Sequence, residues 1–200
     1  VKIFGEEAQE GAGALRAPAP ECANDYHRSF SGKPKGAQVL VLLAGITANI
    51  LFAGLLFILA FLSESFPIYR AISEGLKMTG MGLYDITAGI LSLIASALMF
   101  KANLAGVAGP IGIVGLVGDA SALGLSALLM FTGFISLNLA VINILPFPAL
   151  DGGRLLFVLI EAVKGSPIKA TVAHYTNATG FAILILLMAA ITYHDIARLV

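Results

Sequence analysis

The chain has 200 residues, 58% of them hydrophobic and 12% charged, with mean hydropathy +0.92 and a formal net charge of zero. Soluble domains carry roughly 25% charged residues, so the composition excludes an ordinary soluble globule and predicts an integral protein of the lipid bilayer. Zero net charge offers nothing to a nucleic acid. The lone Cys22 allows neither an internal disulfide nor a paired-cysteine metal knuckle.

In chain order, residues 1–37 read as a strand end at Val1–Phe4 followed by a Glu-, Ala-, Gly- and Pro-rich loop. Residues 38–200 form the membrane-embedded core. Its first span, about 39–62, is uncharged and longer than the ~20 residues a crossing helix needs. Gly45, Ala48, Ala53 and Gly54 along it suit close packing against a neighbouring helix. Residues 68–118 are expected to form an amphipathic or partly re-entrant helix on the bilayer. Charged Arg70, Glu74, Lys77 and Asp85 punctuate its apolar positions, and the run Ile86–Phe100 is short for a crossing; a further crossing over 79–100 is the alternative. A second span is expected at about 123–145, then a short helix over Gly153–Val163 broken at Gly165-Ser166-Pro167, and a last span at about 174–193. The fold class is therefore all-α, with about three transmembrane helices. Arg28, Lys33 and Lys35 flank the first span, and Arg154, Lys164 and Lys169 lie between the last two; the positive-inside rule places both sets in the cytoplasm.

The densest chemistry lies in Asn143-Ile-Leu-Pro146-Phe-Pro148-Ala-Leu-Asp151-Gly152-Gly153. No charge occurs between Ala120 and Leu150, so Asp151 stands at the mouth of an apolar run, where a carboxylate is expensive without a partner. Neither proline donates a backbone hydrogen bond, and each disfavours helix in the residue before it. The span must loosen at Pro146 and Pro148. The glycine pair permits a tight turn or a close backbone approach. Asn138 and Asn143 lie about 140° apart around a helix, so they share no narrow stripe. An amide at the unwinding end can pair with extended backbone. On residue types alone, an ordinary proline-broken helix end fits as well.

Asn143-x-x-Pro146-x-Pro148-x-Leu150-Asp151-Gly152-Gly153 resembles the signature of the site-2 protease family of intramembrane zinc metalloproteases, peptidase family M50. Asn103-Leu104-x-Gly106-x-x-Gly109-Pro110-Ile111-Gly112-Ile113 is similar to the family's Gly-Pro segment. Ser29-Phe30-Ser31-Gly32-Lys33-Pro34 with Ala44-Gly45-Ile46-Thr47-Ala48-Asn49 is similar to its entry into the second transmembrane helix, and Val1–Gly5 to the end of its membrane-associated β-hairpin. The resemblance implies a zinc metalloendopeptidase of the bacterial inner (cytoplasmic) membrane that cleaves a single-span, anti-sigma-factor-like substrate. By matching position, Asp151 is the third zinc ligand, and Asn143, Asn138, Pro146 and Pro148 bind substrate.

The family's other ligands and its general base come from an HExxH helix, and no HExxH occurs in this sequence. His27, His174 and His194 read as structural or solvated. The expectation is that a helix carrying HExxH lies N-terminal to Val1 in the full-length protein. Little room remains for the PDZ domain that many bacterial members carry. A non-catalytic pseudoprotease that binds membrane helices is the alternative. A small transporter is a third reading, against which the two halves show no internal repeat.

Overall fold

The computed structural model describes residues 33–99, 109–166 and 168–199, and every element among them is helical. The expected hairpin remnant at Val1–Phe4, Cys22, His27 and most of the Asn103–Ile113 block lie outside the described residues. The helices are α1 (Lys35–Ser63), α2 (Ile68–Leu98), α3 (Pro110–Ala122), α4 (Leu125–Ile144), α5 (Asp151–Lys164) and α6 (Ala170–Leu199).

Four of them, α1, α2, α4 and α6, are long and apolar enough to cross a membrane by length and composition. The additional one is α2, in the stretch expected to be amphipathic or re-entrant. Its apolar C-terminal run is short by itself, but the helix starts far upstream, after Pro67, and continues unbroken for 31 residues. Its glycines do not interrupt it because two of them are contact points. A Cβ on Gly75 would lie 2.5 Å from Ile58 Cγ1 and 2.9 Å from Ile58 N, and one on Gly82 would lie 2.8 Å from Leu137 Cδ1. Small residues let helices approach in this way. A four-residue connection reverses the chain between α1 and α2, with Ser65 at φ 65° and the Phe61 and Phe66 rings edge to face at 5.5 Å.

The centre of the bundle is α1 against α4. Ala53, Phe57 and Leu137 are fully buried, wrapped by Ile50, Met78, Leu83, Ile86, Met130 and Phe134. Gly133 opens room for the Phe57 ring, which meets Phe134 edge to face at 5.1 Å. Ser136 Oγ donates to the Asn49 carbonyl at 2.9 Å, and Ser126 Oγ to Glu64 Oε1 at 2.6 Å. These contacts make α1 and α4 antiparallel. Of the four small residues expected to pack, Ala53 and Gly54 are buried, whereas Gly45 and Ala48 face outward. The outer surface stays apolar, with Leu40, Leu51 and Leu186 each about 70% exposed. Such a surface suits lipid.

Lys35, at the start of α1, pairs with Glu161 of α5, whose other carboxylate oxygen accepts the Ile168 N–H at 2.9 Å. The start of α1 and the end of α4 therefore share one face, and Lys33 and Lys35 lie on the same side as Arg154, Lys164 and Lys169. Burial pushes the Glu161 carboxyl up. The Lys35 hydrogen bond, the Ile168 N–H and the Lys35 charge outweigh it and hold the group below its ordinary 4.5. A carboxyl with a depressed folded pKa adds stability above its unfolded value and loses it as pH falls through the folded one. Glu161→Gln is expected to destabilise by about 1 kcal/mol at neutral pH, since Lys35 is partly solvated. In thermal melts of the detergent-solubilised protein, the gap to wild type should be constant above about pH 5 and close as the pH drops further.

Candidate functional site

The end of α4 is built by its prolines. Leu145 leaves the helix with φ −61° and ψ 137°, an extended conformation that suits the residue before Pro146. The Phe147 N–H returns to the Leu145 carbonyl at 2.7 Å, a three-residue turn centred on Pro146. The Leu150 N–H then reaches the Phe147 carbonyl at 3.2 Å across Pro148 and Ala149. With Pro at the second position and Ala149 at φ 76°, this is a type II turn. Holding a non-glycine residue in that region costs about 1–2 kcal/mol, so neighbouring structure must hold it.

That structure is α6. Asn177 Oδ1 accepts the Ala149 N–H at 3.3 Å, and the absent side chain of Gly180 seats Pro148, whose Cβ and carbonyl oxygen would lie 2.5 Å from any Cβ there. Neither residue was picked out from the sequence. The available signal was an amide followed three residues later by a glycine inside a span free of Asp, Glu, Lys and Arg. Phe147 and Pro148 also face Tyr175, Thr176, Thr179 and Ile183 across a groove of about 320 Å³.

Asp151 is the first residue of α5. The Gly153 and Arg154 N–H groups bond the Leu150 carbonyl at 3.1 and 3.2 Å, which starts the helix without a side-chain cap. Gly152 and Gly153 are buried in this first turn rather than forming a turn of their own. A Cβ on Gly152 would run into the carbonyl oxygens of Ile144 and Leu145, and one on Gly153 into that of Phe147. The glycines thus let α5 start directly beneath the unwound segment, and Gly165 at φ 73° ends it.

The half-buried Asp151 carboxylate has no hydrogen-bond or ion-pair partner among the described residues. An anion at a helix N-terminus is favoured by the exposed N–H groups and the helix dipole. Asn143 lies half-buried in the last turn of α4, also without a side-chain partner among the described residues. Asn138 is exposed, and its Nδ2 donates to the Phe134 carbonyl at 3.0 Å on its own helix. Pro146 is exposed and Pro148 packs on α6. The turn therefore brings Pro146, Pro148 and Asp151 together beside the α4 end that carries Asn143, while Asn138 sits on another side of that helix. No group of three His, Cys, Asp or Glu suited to a metal occurs among the described residues, and His174 and His194 form none with Asp151. As a hard oxygen donor held at a helix start without a partner among the described residues, Asp151 fits a metal as one ligand, not as a complete site.

Fold and site together define a polytopic helical membrane protein that offers one carboxylate at a proline-unwound helix end. The family model for peptidase family M50 matches residues 1–187, and the chain belongs to that family. Among its relatives, the Regulator of sigma-W protease RasP of Bacillus subtilis (strain 168) is 35% identical over 133 residues, covering 66% of this chain and 32% of that protein. The Zinc metalloprotease RasP of Bacillus licheniformis is 45% identical over 132 residues, covering 66% and 30%. Protease RseP of Photorhabdus luminescens is 38% identical over 108 residues, covering 54% and 48%. The chain spans about a third of the length of the two RasP proteins.

Proposed function

We propose that this chain forms the Asp151-bearing part of an intramembrane zinc metalloprotease that cuts a membrane-anchored protein. One observation carries the reading. In a chain of family M50, a carboxylate with no partner among the described residues stands at the start of α5, directly after backbone freed from helix by two prolines. Asp151 is one metal ligand, and the rest of the coordination sphere comes from elsewhere in the protein, as it does from the HExxH helix in the family the sequence resembles. A bound zinc ion would supply a hydrolytic nucleophile at neutral pH by lowering the pKa of water to about 7.

The residues of this chain do the positioning. A helical substrate has its carbonyls hydrogen-bonded, so it must be drawn out before hydrolysis. Asn143 holds an extended strand in this reading, supported by donor and acceptor atoms that are uncommitted among the described residues. Asn138 retains its carbonyl oxygen for the same task. Pro146 and Pro148 keep the adjoining backbone from closing into helix. A single-span regulator of the anti-sigma type is the substrate class, supported by the sigma-W relative, and the bacterial inner membrane is the location, with the Lys35–Glu161 face cytoplasmic.

The test uses the full-length protein in proteoliposomes with a single-span substrate. A membrane-permeable chelator should stop cleavage, and Zn²⁺ should restore it. Binding of the substrate helix with no cleavage at any zinc level would overturn the proposal in favour of a pseudoprotease.

A further inference from the structure

Helix α6 is held at its two ends and hardly between them. Of residues 181–190, only Leu184 is even partly buried. At one end Asn177 and Gly180 grip the Pro148–Ala149 turn. Fifteen residues beyond Gly180, about 22 Å along a helix, Asp195 is 7% exposed.

A carboxylate hidden in an apolar helix is costly unless hydrogen-bonded. Asp195 Oδ2 accepts the Gly112 N–H at 2.9 Å. Gly112 is the third residue of α3, so this N–H is among those that a helix start leaves without an internal partner. The N-cap position of α3 is Gly109, which provides no side-chain cap. A Cβ there would lie 2.6 Å from Asp195 Oδ2 and 2.7 Å from Ile191 Cγ2. The cap of α3 thus comes from another helix 83 residues away, and glycine at 109 is what lets the carboxylate in. Negative charge at this helix start is also favoured by the dipole.

We propose that Asp195 is a positioning residue for the Asp151 turn, an inference that rests on the functional reading above. By tying the far end of α6 to α3, it keeps Asn177 and Gly180 pressed on Pro148 and Ala149, and through them holds the strained turn that delivers Asp151. No contact between Asp195 and substrate is involved.

The experiment uses the full-length protein in membranes, with Cys22→Ser and a cysteine pair placed across the groove by Phe147→Cys and Thr176→Cys. Oxidative cross-linking reports how well α6 holds the turn. Asp195→Ala should lower the cross-linked fraction at least threefold, whereas Asp195→Asn, whose amide oxygen still accepts the Gly112 N–H, should retain it. Gly112→Pro, which removes that N–H and leaves Asp195 intact, should reproduce the alanine loss with nothing added in the double variant. Without the cysteine pair, substrate cleavage should fall in Asp195→Ala and recover in Asp195→Asn. Parent-level cross-linking in either Asp195→Ala or Gly112→Pro overturns the proposal. So does lost cross-linking with undiminished cleavage. Should Asp195→Ala fail to accumulate, Gly112→Pro against Asp195→Asn decides the matter. A parent protein that neither binds zinc nor cleaves overturns the functional reading itself, whatever the cross-links show.

Discussion

Asp151→Ala in the full-length protein is expected to abolish substrate cleavage while leaving membrane insertion intact. Loss of a group that merely orients a metal ligand typically lowers affinity or activity 10–100-fold. Loss of a ligand itself should therefore lower cleavage by at least about 100-fold. The zinc content of purified protein should fall with it. The variant should fold, because the carboxylate has no partner among the described residues to lose and α5 starts on the Leu150 carbonyl rather than on a side-chain cap. Metal analysis, cleavage and melting temperature measured together separate the cases. A variant that melts like wild type, keeps its zinc and still cleaves would remove Asp151 from the metal. The same zinc with no cleavage would make it a substrate contact instead.

Gly152→Val is the second large effect, and it acts through structure. The new side chain would be driven into the carbonyl oxygens of Ile144 and Leu145, which are backbone atoms with no rotamer to move. The turn has little freedom to retreat, since Pro148 is wedged against Gly180 and the Ala149 N–H is tied to Asn177. Overpacking of this kind costs about 1–3 kcal/mol where side chains can shift, and more where backbone must. The expectation is a loss above 3 kcal/mol, with cleavage lost as well. Gly115→Ala is the matched control, because nothing lies within 4 Å of a Cβ there and alanine is the better helix former by about 1 kcal/mol. Equal melting temperatures for Gly152→Val and wild type would mean that α5 does not start where its geometry places it.

The glycine pair shows where local reasoning works and where it stops. That two glycines after two prolines permit either a tight turn or a close backbone approach follows from residue types alone, because only glycine lacks the atom that would clash. What approaches them does not. The neighbours are the carbonyls at the end of α4, and they reach Gly152 and Gly153 only after Leu145–Leu150 folds into two successive turns. Segment 68–98 is a similar case. Its charges and its short apolar run suggested an amphipathic or partly re-entrant helix, with a crossing over 79–100 as the alternative, and hydropathy alone could not register that Gly75 and Gly82 are docking points on Ile58 and Leu137.

The sequence by itself determined the solvent, the helical class and the position of Asp151. Long uncharged runs can satisfy their backbone in hydrocarbon only as helices, and adjacent prolines must open one. Tertiary structure alone decided which distant segments meet. Asn177 beneath Ala149, Asp195 on α3 and Lys35 on Glu161 join segments 28, 83 and 126 residues apart. Apolar helix faces look alike to any local reading, so which of them meet is settled by packing, and with it the few polar groups that hold the site in place.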